Sequence, residues 1–209
     1  DVAHWLNTLG IHSVVLPYRT APDWRHPAAL DDARRAIQTL RDEAGNWAVD
    51  PDRIGILGFS AGGHVAALAA TNPLQADLSS ADPVRRHDSR PNLFVTVYAV
   101  ISMTGEDVHV ASRGNLLGDV EDEEVFRSVS PDLLAGKETP PAFITIGHND
   151  EAVPSSNALA LYSALAAARV SAELHVYEHG PHGLGMAPGH PFSDWTAQCE
   201  RWLDRHAFL

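Results

Sequence analysis

The chain has 209 residues, 44% of them apolar, enough to bury one sizeable core, and mixed α/β folds of this length are commonly a single domain, expected here over residues 1–209. A formal charge of -12, with 15 Lys and Arg against 27 Asp and Glu, argues against nucleic acid or an anionic membrane surface as partner, because both need clustered cations. The lone Cys199 rules out an intrachain disulfide framework and a thiolate metal cluster, and no apolar run approaches the length of a bilayer span.

Along the chain, "DVAHWLNTLG" puts Val2, Trp5, Leu6 and Leu9 at helical spacing and stops at Gly10. The β-branched "HSVVLPYR" that follows reads as a strand. "HPAALDDARRAIQTLRDEAG" gathers Leu30, Ala33, Ile37 and Leu40 on one helical face. "DPDRIGILGFS" then supplies a turn and an apolar strand without polar alternation, the pattern of a strand buried on both faces. "SAGGHVAALAATNP" is a small-residue helix, and "PNLFVTVYAVIS" the next buried strand. Residues 103–140, with "EDEE" and "SVSPDLL", form a polar stretch expected to hold a short helix or two over one end of the sheet. Strand "PPAFITIGHND", helix "SSNALALYSALAAARV", strand "SAELHVYEHG" and helix "PFSDWTAQCERWLDRH" close the chain. No repeat or linker divides it. Alternating strands and helices imply an α/β fold, a mostly parallel sheet with helices on both faces. In such sheets chemistry gathers at the carboxyl ends of the strands. No signal peptide is visible, although the chain opens on Asp1 as if inside a helix; the cytoplasm is the default expectation, and a homo-oligomer is compatible with the sequence.

The polar residues at those ends form a set. Gly58, Phe59, Ser60, Ala61 and Gly62 match G-x-S-x-G, with strand before and helix after. The serine is expected in a strained backbone conformation, and Gly58 and Gly62 lack side chains so that strand and helix can approach. The helix starting there points free N–H groups at the site, making the Ala61 amide an oxyanion donor. A serine hydroxyl needs a base, and the base an orienting carboxylate. Asp150 ends one strand in "GHNDEAVP", and His182 follows the last strand in the glycine-flanked "YEHGPHG". His179 on the same loop is the alternative base, and Glu151 and Asp119 are alternative acids. His64, one helical turn past Ser60, and His175, within a strand, are expected to be structural. The His-rich 175–190 segment lacks consistent zinc-ligand spacing, so neither metal nor other cofactor is expected.

"PYRTAPDWRHPAALDDARRAI", "DPDRIGILGFSAGGHVAALAAT", "ISMTGEDVHVASRGNLLG", "PPAFITIGHNDEAVPSSN" and "ELHVYEHGPHGLG" resemble the α/β-hydrolase superfamily, within its acetyl esterase and lipase branch. The resemblance covers nearly the whole chain. The first two stretches look like hormone-sensitive-lipase-like and bacterial carbohydrate acetyl or feruloyl esterases; the last three look more like the carbohydrate-esterase side. The resemblance implies Ser60 as nucleophile, Asp150 as acid and His182 as base. Phe59 departs from the hormone-sensitive-lipase-like pattern, which usually has Asp there. A second departure is larger: these families carry an H-G-G or G-G-G-Y type loop whose amides complete the oxyanion hole, and this sequence has none. Their usual strand order also puts a strand between the one ending at Tyr18 and the one ending at Ser60. The chain is therefore expected to be an N-terminally incomplete α/β-hydrolase fold, unless the strands containing Val14 and Ile56 pair directly. Lacking one oxyanion donor would lower turnover about a hundred- to a thousand-fold.

The expected chemistry is acyl transfer on a small-molecule ester with a short acyl group, such as an acetylated or feruloylated carbohydrate. Met103, His109 and Trp24 are candidate pocket residues, with loop packing the simpler expectation for each. Two other readings stand beside this one: an amide-cleaving hydrolase with the same triad, such as a formamidase or peptidase, and a non-catalytic binding protein on the same fold.

Overall fold

The computed structural model describes residues 1–209. Nine helices accompany four strands: α1 (Val2–Thr8), α2 (Ala28–Asp42), α3 (Ala44–Trp47), β1 (Gly55–Phe59), α4 (Ser60–Thr71), β2 (Leu93–Val97), α5 (Val110–Leu117), α6 (Glu123–Ser128), α7 (Pro131–Leu134), β3 (Ala142–Gly147), α8 (Ser156–Ala167), β4 (Ala172–Tyr177) and α9 (Asp194–Arg205). The strands form one sheet in the order β1-β2-β3-β4, and every pair is parallel. Each crossover carries at least one helix, as parallel neighbours require. All four carboxyl ends therefore lie along one rim.

Every residue of β2 and β3 is buried, as expected for strands covered on both faces. In one layer helices α2, α4, α7 and α8 pack in series, α2 on α4, α4 on α7 and α7 on α8. In the other, α1 and α9 meet through Trp5 and Trp195, edge to face at 5.5 Å, and Trp202 of α9 packs on Phe143 of β3 at 5.8 Å. One apolar cluster runs through these layers. No helix is long and apolar enough to cross a membrane.

Three expectations need correction. The "HSVVLPYR" segment forms no strand; Val14 and Val15 are exposed, and neither pairs with β1. Without a neighbouring strand the segment has no ladder to join, so its β-branched residues alone do not make it one. Nor is β1 buried on both faces. It is the sheet's edge, with Gly55 exposed and Ile56 and Leu57 half-buried. Finally, the polar stretch folds three short helices rather than one or two, α5, α6 and α7. The side chains of His109 and Asp122 cap the first two, accepting from the amides of Ser112 and Glu124.

Candidate active site

Strand β1 passes directly into α4, and the residue at that turn, Ser60, has φ +51, the left-handed region that L-residues rarely occupy. The turn is possible because Gly58 lacks a side chain: a Cβ there would lie 2.1 Å from the Gly62 carbonyl oxygen. The second steric requirement falls one residue later than expected. A Cβ on Gly62 would meet only the Tyr18 hydroxyl, at 3.5 Å, whereas one on Gly63 would lie 2.5 Å from the Ala99 Cβ. Gly63 faces the end of β2 one helical step further round, a contact that the motif itself does not encode. Ala61 is exposed at the opening of α4, where the first amides of a helix have no intrahelical acceptor.

The structure brings Ser60, His182 and Asp150 into one chain of hydrogen bonds. Ser60 Oγ lies 2.8 Å from His182 Nε2, and His182 Nδ1 lies 2.7 Å from Asp150 Oδ2. A carboxylate only accepts, so the proton belongs on Nδ1, and Nε2 is free to accept from the serine hydroxyl. The other Asp150 oxygen accepts from the amides of Ala152 and Val153 at 3.0 and 2.9 Å. With its side chain fully buried, Asp150 is thus fixed by three donors. The imidazole is partly exposed.

The alternative residues lie elsewhere. His179 is exposed beside Glu178, and Glu151 and Asp119 are exposed. His175 bonds Glu173 at 2.8 Å. His64 is buried with Nε2 2.8 Å from the Val129 carbonyl oxygen, and burial holds its pKa down at about 4, so it is a neutral donor near neutral pH. No cluster of three or more His, Cys, Asp or Glu side chains is arranged to hold a metal ion.

Two asparagines not singled out from sequence brace the rim. Asn149 accepts from the Gly180 amide at 2.7 Å, joining the loop before Asp150 to the loop before His182. Buried Asn157 accepts from the amides of Ile101 and Ser102 at 2.9 and 3.2 Å. It also donates to the carbonyls of Asp107 and Pro154. The one sequence signal was position, and it applies to Asn149, two residues past the end of β3; Asn157 lies within α8.

A cleft of about 240 Å³ opens over the start of α4, lined among others by Ala61, Tyr18, Trp24, Met103 and Leu116, with Ser60, His182 and Asp150 outside its lining. Of the pocket candidates, Met103 forms part of its wall and is buried. Trp24 is half-exposed at its edge, with the Arg19 guanidinium 5.0 Å from its ring. His109 instead caps α5. A larger, polar hollow of about 570 Å³ lies at the far end of α4, around Asn72 and Lys137, away from the serine turn.

Residues 5–165 match the BD-FAE family. An acetylxylan esterase of Xylanibacter ruminicola is 31% identical over 208 residues, covering 97% of this chain and 41% of that protein. Among solved structures, an acetyl ester-xyloside bifunctional hydrolase from Caldicellulosiruptor lactoaceticus superimposes with a TM-score of 0.96 at 41% identity, covering all of this chain and 76% of that one. A carboxylesterase from Lactobacillus plantarum gives a TM-score of 0.81 at 26% identity, covering all of this chain and 79% of that one. The chain spans less than half the length of the curated relatives it matches first, 41% of the esterase and 30% of an endo-1,4-beta-xylanase B from Butyrivibrio fibrisolvens.

Proposed function

The chain belongs to the BD-FAE family and has the α/β-hydrolase fold of esterases, and from that premise we propose that it is a serine carboxylesterase. Residues 1–209, around one sheet and one core, serve as one catalytic domain. The observation that carries this reading is the unbroken relay from Ser60 Oγ through His182 to Asp150, at 2.8 and 2.7 Å.

In the proposed reaction His182 Nε2 takes the Ser60 proton as Oγ attacks the ester carbonyl. Asp150 holds the Nδ1–H tautomer and balances the imidazolium that forms. The negative charge on the carbonyl oxygen develops beside the start of α4, where the Ala61 amide and the helix dipole stabilise it. Collapse expels the alcohol, which takes the proton back from His182. Water, activated by the same imidazole, then releases the acid from Ser60. The ordering of Asp150 by three donors fixes the imidazole before substrate arrives, so little reorganisation is left for the reaction itself.

Short-chain acyl esters, with acetylated or feruloylated carbohydrate among them, are the substrate class we propose. The acetylxylan esterase and the acetyl ester-xyloside hydrolase among the relatives support that class. Turnover of p-nitrophenyl acetate, p-nitrophenyl octanoate, methyl ferulate, acetylated xylan and an N-formyl amide tests the assignment. The short-chain esters and acetylated xylan should be cleaved fastest, and Ser60→Ala should abolish all of it. Preference for the amide, or undiminished turnover in Ser60→Ala, overturns it.

A further inference from the structure

Two residues at the rim other than glycine have positive φ at the ends of adjacent strands. One is Ser60; the other is Tyr98, φ +38, immediately after β2. Strain of this kind persists only where the surroundings over-determine it, and at Tyr98 they do so from several sides. Its amide donates to the Thr145 carbonyl of β3 at 2.8 Å. Two residues on, the Val100 amide donates to the Ser60 carbonyl at 3.3 Å, so the bent backbone touches the serine turn.

The Tyr98 side chain reaches the opposite partner. Its ring lies against the His182 imidazole, centroids 4.8 Å apart and planes inclined by 59°. Phe59 at 5.6 Å and Phe192 at 6.0 Å support that ring. The hydroxyl oxygen accepts from the Gly185 amide at 2.8 Å, and the Gly185 carbonyl accepts from the Trp195 indole at 3.1 Å. Gly185 stands three residues past His182 at φ +62, within a turn that no strand or helix holds. Tyr98 therefore supplies what the Asp150 bond alone does not: one hydrogen bond leaves the imidazole free to tilt about its axis, whereas a ring in tilted contact with it at 4.8 Å restricts that freedom.

We propose that Tyr98 is a positioning residue for His182, its ring setting the tilt of the imidazole and its hydroxyl anchoring the loop that carries it. The inference rests on the reading of His182 as the general base. The ring and the hydroxyl make separable contributions. Tyr98→Phe keeps the ring and strands the Gly185 amide, and Tyr98→Leu removes both.

The test is steady-state kinetics of both variants on p-nitrophenyl acetate, beside Ser60→Ala, with thermal unfolding of each. The expected result for folded Tyr98→Phe is a kcat lower by about tenfold, and for Tyr98→Leu by about a hundredfold, with KM changed by no more than about twofold in either. Partial retention by Phe over Leu is the signature of the ring. A Tyr98→Phe variant with wild-type kcat, or a loss confined to KM or to the unfolding temperature, overturns the inference while leaving the esterase reading intact. Absence of Ser60-dependent turnover in the wild type sinks both.

Discussion

Gly147→Ala separates the account of the site from a general account of the fold. Gly147 ends β3, three residues before Asp150, and Gly180 lies two residues before His182. A Cβ on Gly147 would stand 1.8 Å from the Gly180 carbonyl oxygen and 2.6 Å from its Cα. Cβ atoms do not approach heavy atoms within 3.0 Å, so the two backbones must part by more than about 1 Å. The obstacle is main chain, and no side chain can swing aside to relieve it. The displacement runs across the junction that holds the carboxylate against the imidazole, and that bond is 2.7 Å long. A misplacement of this size costs about a hundredfold in turnover, alongside an overpacking penalty of about 1–3 kcal/mol. Urea unfolding, with kcat measured under conditions where the variant is fully folded, separates the two effects. A folded Gly147→Ala with wild-type kcat would refute the claim that this backbone contact sets the Asp150–His182 geometry.

The remaining predictions concern single side chains. Asp150→Asn cannot accept from His182 Nδ1–H and from the Ala152 and Val153 amides through carboxylate oxygens alike, so kcat should fall by about four orders of magnitude with little change in KM. His64 is held neutral in the fold, its pKa lowered by burial from 6.5 to about 4, so below pH 6.5 the unfolded chain binds more protons than the folded one. The stability it contributes is therefore complete above that pH and is lost on acidification toward pH 4, by roughly 3 kcal/mol in all. Urea titrations between neutral pH and about pH 5 should show that slope, and His64→Gln should flatten it. The Cys199 thiol, buried and pushed up to about 12, should resist a thiol reagent in the native protein and react fully once unfolded.

The sequence was most legible where a residue's role depends on its own neighbours. The apolar runs of β2 and β3, the amphipathic face of α2 and the glycine-bounded serine turn are local patterns, and each appears in the structure. The selection of His182 over His179 rested on a glycine-flanked loop beyond the last strand, and His182 meets Ser60 while His179 faces solvent. What the pattern could not convey was partnership. Val14 and Val15 have the composition of a strand but no ladder to join, and Ile56 looks as apolar as its counterparts in β2 although it lies on a sheet edge. The requirement for Gly63 comes from Ala99 across the sheet, and Asn157 is tied to Ile101 at a separation of 56 residues. Tyr98 sits in a continuous apolar run, where its hydroxyl gives no hint of Gly185. Contacts of this reach are fixed by topology, and no window along the chain contains both partners.

The central claim is that Ser60 is a nucleophile activated by His182, and covalent capture measures it most directly. Treatment with diethyl p-nitrophenyl phosphate, followed by peptide mass spectrometry, should place one diethyl phosphoryl adduct on Ser60. No adduct should form in Ser60→Ala, and the rate should fall steeply in His182→Ala. A folded protein that stays unlabelled, or that is labelled equally fast without His182, would contradict it.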